Sequence, residues 1–222
     1  MFTTPATASL APVIALLDYD SGNIRSVEKA LRFSGADVVR TRSAADLKNA
    51  RGIVLPGVGA FDDCLQAMQR QDLDGAVKEW IGQGRPFLGI CVGYQALFER
   101  SEEFNSCARG LGILGGPVVR FQPTADEPHL KIPQIGWNQI ELQREGCPLF
   151  QGLPSGSWFY FVHSFFPCPT DPSVIATRTT YGQSFASSVW RGNVFATQFH
   201  PEKSQANGLR LLKNFVDLVA AA

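Results

Sequence analysis

The sequence predicts an α/β fold in which a mostly parallel central sheet is flanked by helices and joined to a largely antiparallel, β-rich second half. Up to about residue 98, short apolar runs alternate with stretches of helical periodicity, which is typical of βαβ units and a parallel sheet. From residue 111 to residue 200 the chain is rich in β-branched and aromatic residues, with breaks at glycine and proline. An amphipathic pattern over residues 207–219 predicts a closing helix.

The first half supplies the alternating elements. Val13–Leu17 is a continuous apolar run, as expected for a strand buried on both faces. Helical periodicity follows over Ile24–Phe33 and ends at Gly35, a residue type that suits a helix C-terminus. Further strands are expected at residues 36–40, 52–55 and 86–90. Further helices are expected at residues 43–50, after the loop of residues 56–61 through about residue 70, at residues 73–81 and directly after Cys91.

The second half reads as a series of strands. They are expected at residues 116–121, 132–142, 158–166, 174–181, 184–191 and 194–199, with a hairpin turn at residues 191–193. We expect them to pack on the same sheet as the first half, without a linker or a second domain. Residues 1–12, rich in Thr, Ala and Pro, predict a flexible N-terminal tail, so that residues 13–222 form one domain.

Charge and cysteine content limit the function classes. Twenty Lys and Arg balance twenty Asp and Glu without a long run of either sign, so no nucleic-acid or anionic-membrane surface is predicted. The five cysteines are an odd number without C-x-x-C spacing, which argues against a disulfide framework and a zinc site and fits a reducing cytoplasm. The apolar run at residues 13–17 is too short for export or a membrane span. We therefore expect a cytoplasmic protein without a metal.

The sequence Gly-Ile-Cys-Val-Gly at residues 89–93 lies between a predicted strand and a predicted helix. It is the thiol counterpart of the G-x-S-x-G nucleophile elbow, a sharp turn that presents its nucleophile at the carboxyl end of the sheet. Cys91 is therefore a candidate nucleophile. A buried structural cysteine is the alternative, and the elbow alone does not separate the two.

A candidate base and its orienting acid follow the last predicted strand. His200 and Glu202 share a face in an extended segment, so the carboxylate can hold the imidazole in one tautomer. A base oriented by an acid and facing a thiol is the arrangement of the serine triad in generalised form. H-x-E spacing alone is a weak signal. The competing bases, His163 and His129, have no carboxylate nearby in sequence, and we interpret them as non-catalytic.

A loop with two glycines follows the third predicted strand, where residues 56–61 read Pro-Gly-Val-Gly-Ala-Phe. Glycines on both sides of Val58 leave the backbone free to adopt unusual dihedral angles, or more than one set of them. On this motif alone, a plain tight turn is the simpler interpretation.

Together, Gly-Ile-Cys-Val-Gly-Tyr-Gln at residues 89–95 and Phe-His-Pro-Glu at residues 199–202 resemble the class I (triad) glutamine amidotransferases, and the resemblance implies their fold. Within this family, several segments are similar to the glutaminase subunits of imidazole glycerol phosphate synthase, an enzyme of histidine biosynthesis. The similarity runs from about residue 13 to the C-terminus. The segments are residues 18–23, 25–27, 55–61, 132–138, 161–164 and 198–204.

The resemblance implies a glutaminase reaction. Cys91 would attack the side-chain carboxamide of glutamine, and His200 would protonate the departing ammonia and then activate water to hydrolyse the γ-glutamyl thioester. Glu202 would orient His200. The oxyanion hole would consist of the backbone N–H of Val92 and, after a peptide rearrangement, that of Val58. Further positions implied to bind glutamine or shape its site are Gly57, Gly59, Gln95, Ser164 and Phe165.

The resemblance also implies a partner. Ammonia would pass to a separate (β/α)8 cyclase subunit in a heterodimer, where a nucleotide becomes imidazole glycerol phosphate and an aminoimidazole carboxamide nucleotide. Such a barrel needs about 250 residues of its own and cannot lie in this chain. Asn23, Trp137 and Lys203 are the positions implied at the interface. No cofactor, nucleic acid or membrane is expected to take part.

Two alternatives remain. One is the glutaminase subunit of another synthase, such as pyridoxal phosphate synthase, which lacks the loop of residues 56–61, or anthranilate synthase; neither usually carries Asp18-Tyr19 with Gly22-Asn23. The other is a catalytically silent, partner-binding relative, which the intact residue types at 91, 200 and 202 argue against. Departures from the family's usual residues at positions 20, 21, 92, 94 and 134 touch no predicted catalytic side chain, but the tyrosine at position 94 bears on the glutamine pocket.

Overall fold

The computed structural model describes residues 11–19, 22–103, 106–125 and 127–222. Most of the predicted N-terminal tail, and the departures at positions 20 and 21, lie outside the described residues. Pro12 is buried, and its carbonyl accepts the Asp37 N–H at 3.1 Å. The packed part of the chain therefore includes the residue before the first strand.

Over the described residues the chain forms thirteen strands and five α-helices. The strands are β1 Val13–Leu17, β2 Asp37–Thr41, β3 Gly52–Leu55, β4 Phe87–Ile90, β5 Arg100–Ser101, β6 Pro117–Arg120, β7 Gln134–Gln139, β8 Glu141–Leu142, β9 Trp158–His163, β10 Phe165–Pro167, β11 Ile175–Tyr181, β12 Gln183–Arg191 and β13 Val194–Thr197. The helices are α1 Ile24–Phe33, α2 Phe61–Arg70, α3 Leu73–Gly82, α4 Val92–Gln95 and α5 Gln205–Ala221. Short 3₁₀ turns cover Ala44–Asn49, Pro148–Phe150, Pro172–Val174 and Pro201–Lys203.

The main sheet has eight strands in the order β2-β1-β3-β4-β13-β12-β11-β8. The first five run parallel, and the last three add antiparallel pairs, which confirms the predicted mixed sheet. Every residue of β3 and β4 is buried, as the apolar runs predict. Leu55 pairs with Gly89 and Thr197 pairs with Ile90, so β3, β4 and β13 end side by side. Loops at the carboxyl ends of parallel strands are where such sheets place their ligand sites.

Helices cover this sheet. Helix α1 buries one apolar face and contacts α5, while α2 packs against α3. The buried residues of α5, which carry its amphipathic pattern, are Gly208, Leu211, Leu212, Phe215, Val216 and Val219. No helix in the described ranges is both long and apolar enough to cross a membrane.

The second half differs from the prediction in its pairing. Strands β10, β6 and β5 form a separate three-stranded sheet, and β7 pairs with β9 in a two-stranded one, so these strands do not pair with the main sheet. The predicted strands 132–142 and 158–166 are each divided in two, at Ile140 and Ser164. An alternating pattern tells which side chains point inward. The alternating pattern does not predict which other strand a given strand will pair with.

The helix after Cys91 is also shorter than its pattern suggests. Helix α4 has four residues, after which the carbonyl groups of Ala96, Leu97 and Phe98 accept N–H groups from residues 111–114. A Cβ at Gly110 would lie 1.9 Å from the Phe98 oxygen, so only glycine allows this close approach of the two segments. Tertiary hydrogen bonds therefore replace the helical ones. The helix expected at residues 43–50 is likewise the 3₁₀ turn Ala44–Asn49.

Candidate active site

Cys91 lies in a strained turn between β4 and α4. Its φ of 55° and ψ of −108° are unusual for a residue with a side chain, as expected for a nucleophile elbow. A Cβ at Gly93 would lie 2.0 Å from the carbonyl oxygen of Leu55, so the glycine is needed for the elbow to pack against β3. The Cys91 N–H donates to the Thr197 carbonyl at 2.8 Å, which ties the elbow to β13. Val92 opens α4, where backbone N–H groups have no intrahelical partner.

His200 and Glu202 form a buried pair directly after β13. Nδ1 of His200 lies 2.8 Å from Oε1 of Glu202, and both side chains have 0% exposure. Because a carboxylate accepts, the hydrogen of the imidazole lies on Nδ1 and Nε2 is left to accept a proton. Nε2 has no hydrogen-bond partner within the described part of the chain. The pair therefore has the polarity of a base oriented by an acid.

The pKa of His200 is raised and that of Glu202 is lowered, as expected for two groups that form an ion pair. Burial alone would lower the pKa of His200, but the electrostatic attraction of Cys91 and the bond to Glu202 outweigh it and raise the pKa to about 10. Burial alone would raise the pKa of the Glu202 carboxyl, but the hydrogen bond and charge of His200, with a bond from Asn23, hold it below its usual value. The imidazolium form of His200 is therefore favoured next to an ionised Glu202.

Cys91 and His200 border one cavity of about 410 Å³. Its lining includes the predicted site residues Val58, Gly59, Cys91, Val92, Gln95, Ser164, Phe165, His200 and Lys203. It also includes four residues that were not predicted to bind anything, namely Glu103, Pro133, Val162 and His163. Glu202 does not line the cavity and reaches it through His200. Within the described ranges, no group of three or more His, Cys, Asp or Glu side chains could hold a metal ion.

The loop before α2 packs directly on the elbow. A Cβ at Gly57 would lie 2.6 Å from both the Val92 Cβ and the Gly93 nitrogen, so Gly57 is required by crowding rather than by flexibility. Gly59, with a φ of +98° and open space around its Cα, is the residue that uses the conformational freedom of glycine. The Tyr19 hydroxyl donates to the Pro56 carbonyl at 2.8 Å and fixes the start of the loop. The rearrangement of the Val58 peptide stays a prediction.

A known protein family matches most of the chain. The family model for class-I glutamine amidotransferases matches residues 15–219. The chain belongs to this family. It is 50% identical to the imidazole glycerol phosphate synthase subunit HisH of Thermosynechococcus vestitus over 210 residues, which cover 94% of this chain and 98% of the relative. It is 47% identical to the subunit of the same name from Rhodopirellula baltica, over 91% of this chain and 96% of the relative.

Solved structures support the fold independently. A chain of PurLQS from Thermotoga maritima superposes with a TM-score of 0.74 at 19% identity, covering 94% of this chain and 99% of that one. A solved glutamine amidotransferase gives a TM-score of 0.68 at 21% identity, with the same coverage. At such identities the likeness concerns the fold, and it confirms the predicted class-I glutamine amidotransferase fold.

In this amidotransferase, one of the other two histidines lies at the cavity. His163 lines the cavity, but its Nδ1 lies 2.8 Å from the Phe165 carbonyl and its Nε2 lies 3.0 Å from Oε1 of Gln134. Burial, offset in part by the Phe165 bond and reinforced by His200, lowers the pKa of His163 to about 3. Because a neutral imidazole carries one N–H, Nδ1 donates to the Phe165 carbonyl, and Nε2 can bond Gln134 only by accepting from its amide NH2 group in the flipped orientation of that side chain. The interpretation of His163 as non-catalytic stays a prediction. His129 is exposed and does not line the cavity.

The amidotransferase site contains two side chains that the sequence did not single out. Gln198 is fully buried, and its Nε2 lies 3.7 Å from the Cys91 sulfur while its Oε1 accepts from Gln95 at 3.2 Å. Gln95 also donates to the Phe165 carbonyl at 3.1 Å. Glu103 lines the cavity, and its Oε2 accepts the Phe61 N–H at 2.7 Å. The position of Gln198 two residues before His200 is the one signal that could have pointed to it.

The unusual Tyr94 does not disturb the cavity of this family member. Its side chain is fully buried, its hydroxyl donates to the Ala186 carbonyl at 3.3 Å, and its ring meets Phe98 edge-on. Tyr94 is not among the residues that line the cavity. The departure therefore belongs to the core beneath the elbow and not to the lining of the cavity.

The three predicted interface residues are linked through shared neighbours: Trp137 meets the Tyr160 ring edge-on at 6.1 Å, Lys203 lies near the same ring, and Asn23 contacts Glu202, which precedes Lys203. Trp137 is 43% exposed on β7 and lies away from the cavity. Lys203 lines the cavity, with its Nζ 5.9 Å from the centre of the Tyr160 ring. Asn23 is half-buried, and its Nδ2 donates to Oε1 of Glu202 at 2.8 Å. This last contact was not predicted from the sequence.

Proposed function

We propose that this chain is the glutaminase subunit of an imidazole glycerol phosphate synthase, which hydrolyses glutamine to glutamate and ammonia and delivers the ammonia to a separate cyclase subunit in histidine biosynthesis. The observation that carries the proposal is the elbow cysteine beside the buried His200–Glu202 pair, at one cavity, in a chain half identical to such a subunit. A biosynthetic role of this kind fits the expected cytoplasmic location.

The first half-reaction forms a thioester. The sulfur of Cys91 attacks the side-chain carbonyl carbon of glutamine, and the negative charge on its oxygen is stabilised by the Val92 N–H at the start of α4 and by the Val58 N–H after rearrangement. His200 donates the proton from Nε2 to the nitrogen as the carbon–nitrogen bond breaks, and ammonia leaves. Glu202 accepts from Nδ1 throughout and stabilises the imidazolium.

The second half-reaction releases glutamate. A water molecule gives its proton to Nε2 of His200 and attacks the thioester carbonyl carbon. The carbon–sulfur bond then breaks and releases the Cys91 sulfur as a thiolate. The proton taken from water stays on Nε2, so the triad regains the imidazolium form from which it started. The same two N–H groups stabilise the second tetrahedral intermediate.

The lining of the cavity suits an amino acid as substrate. Free glutamine carries an ammonium and a carboxylate next to its reactive carboxamide. Glu103 is the acidic side chain on the cavity wall and can pair with the ammonium, while Gln95 and the backbone of Ser164 and Phe165 provide hydrogen bonds to the remaining polar groups. This division leaves the carboxamide directed toward Cys91.

An exposed apolar sheet face supports a macromolecular partner. Ile135 and Trp137 on β7 and Trp158 on β9 are 63%, 43% and 49% exposed, and the register of the two strands places them on the solvent side of one small sheet. Exposed clusters of large apolar side chains commonly mark protein interfaces. We propose this face, with Lys203 at the cavity, as the docking surface for the (β/α)8 cyclase in a heterodimer.

Glutamate release tests the function. It is measured for the chain alone, for the chain with cyclase, and for that complex with its nucleotide or a nucleotide analogue. We expect little release from the isolated chain and strong activation in the full complex, because a second oxyanion donor is gained only on rearrangement of the Val58 peptide. Equal rates in all three mixtures would refute the activation. No glutamine-dependent product with cyclase and nucleotide would refute the proposed function and favour another synthase or a silent relative.

The docking surface has its own test. Trp137→Ser should weaken cyclase binding, measured by titration calorimetry, at least ten-fold, as expected of an aromatic anchor. Phe33→Ser is the matched control, because Phe33 is 78% exposed at the end of α1 and lies on neither β7 nor β9. Equal affinities for the two variants would remove Trp137 from the interface.

A further inference from the structure

Asn23 immediately precedes α1, at the position where an asparagine side chain ordinarily accepts a hydrogen bond from the first turn of the helix. Its side chain makes no such capping bond. The amide Nδ2 instead donates at 2.8 Å to Oε1 of Glu202, a residue 179 positions further along the chain. A residue type that usually stabilises a helix start is therefore used for a contact with the candidate triad.

The acceptor atom of this bond is also the one that binds the base. Oε1 of Glu202 accepts from Nδ1 of His200 at 2.8 Å as well as from Asn23. The other oxygen, Oε2, is buried and has no hydrogen-bond partner among the described residues. Rotation of the carboxylate would therefore break two bonds at once, and the Asn23 amide opposes that rotation.

We propose that Asn23 is a positioning residue, whose amide fixes the Glu202 carboxylate so that Oε1 receives Nδ1–H of His200 and Nε2 stays the proton-accepting atom next to Cys91. The expected effect of Asn23 on glutamine turnover rests on the proposed function. Its expected effect on the reactivity of Cys91 next to His200 does not. Because Asn23 follows β1 and Glu202 follows β13, the bond also couples two loops at the same end of the sheet.

Alkylation of Cys91 tests the positioning without glutamine or a partner. The isolated chain is treated with iodoacetamide, and modification of the Cys91 peptide is followed by mass spectrometry. Asn23→Ala should slow this alkylation about ten-fold, the loss expected when one hydrogen bond to a charged group is removed. Asn214→Ala is the control, because Asn214 also donates from its amide, at 3.0 and 2.8 Å to the carbonyls of Leu149 and Gln151, away from the cavity. It should alkylate at the wild-type rate.

Turnover by the complex with cyclase and nucleotide separates positioning from partner binding. At saturating cyclase, Asn23→Ala should lower kcat about ten-fold with little change in KM for glutamine. Asn23→Asp keeps the shape but replaces the donor by a carboxylate facing Glu202, and it should lose more. Wild-type kcat with only a weaker affinity for cyclase would overturn the proposal, and so would an equal loss in Asn214→Ala.

The two readouts also distinguish this inference from the proposed function. If the wild-type complex fails to use glutamine while Asn23→Ala still slows alkylation, the proposed function is wrong and the positioning role stands. If the wild-type complex uses glutamine and Asn23→Ala matches it in both alkylation and kcat, the positioning role is wrong.

Discussion

The replacement of Glu202 by glutamine isolates the contribution of its charge. The two donors to Oε1, Nδ2 of Asn23 and Nδ1 of His200, both require an acceptor in that place. In Glu202→Gln the amide oxygen is therefore expected to occupy the position of Oε1, and the His200 tautomer is retained. What is lost is the negative charge that stabilises the imidazolium.

The size of the loss follows from the separation of the charges. Two opposite unit charges about 4 Å apart interact by about 4 kcal/mol at the effective dielectric constant of a protein. If most of this interaction is present only when His200 is charged, kcat should fall by about three orders of magnitude. A variant that also inverted the tautomer would lose about four orders, as known for the buried acid of serine proteases.

The assay is glutamate release by the complex of Glu202→Gln with cyclase and nucleotide, at saturating glutamine. Synthesis from added ammonium salts serves as the control and should be unchanged, because it does not use the triad. A fall in kcat of less than ten-fold would refute the role of Glu202. Equal loss of the ammonium-dependent reaction would show instead that the substitution disturbs the complex as a whole.

Three further predictions concern Cys91, the packing of Gly93 and the acid sensitivity of the fold. Cys91→Ala should abolish glutamine-dependent synthesis and spare ammonium-dependent synthesis; loss of both would make Cys91 structural. Gly93→Ala should destabilise the fold by about 1–3 kcal/mol in denaturant unfolding, because its Cβ would meet the Leu55 carbonyl at 2.0 Å. Gly75→Ala, in open space on α3, should instead stabilise by about 0.5–1 kcal/mol, and the reverse order would contradict the packing of the elbow. Burial lowers the pKa of His163 from 6.5 to about 3. Between these two pH values the unfolded chain binds a proton at His163 and the folded chain does not. The free energy of unfolding should therefore decrease as the pH is lowered from 6.5 to 3. His163→Phe should reduce that slope by up to about 1.4 kcal/mol per pH unit, and an unchanged slope in urea titrations would assign the acid sensitivity elsewhere.

The buried strands of the first half and the elbow at Cys91 were predictable because they depend on interactions between residues close together in the sequence. The apolar runs of β1, β3 and β4 and the glycines around Cys91 specify buried parallel strands and a tight elbow through steric requirements that act within a few residues. The apolar run of β13 likewise predicted that His200 follows a buried strand. Neighbouring parallel strands then brought Cys91 and His200 to one cavity without any further signal in the sequence.

Contacts between residues far apart in the sequence could not be predicted from these local patterns. The bond from Asn23 to Glu202 spans 179 positions, and an asparagine before a helix reads first as a cap. Glu103 reads as one charged residue among many until the fold places it on the cavity wall. The division of the second half into separate small sheets depends on which edges are covered, and an alternating pattern does not contain that choice.

Trapping the covalent intermediate tests the central claim most directly. The complex with cyclase and nucleotide is quenched with acid while it turns over isotopically labelled glutamine, and its peptides are analysed by mass spectrometry. We expect a labelled γ-glutamyl group on Cys91 that hydroxylamine removes, and none in Cys91→Ala. Label on another residue, or release of glutamate at the wild-type rate by Cys91→Ala, would contradict the thioester mechanism.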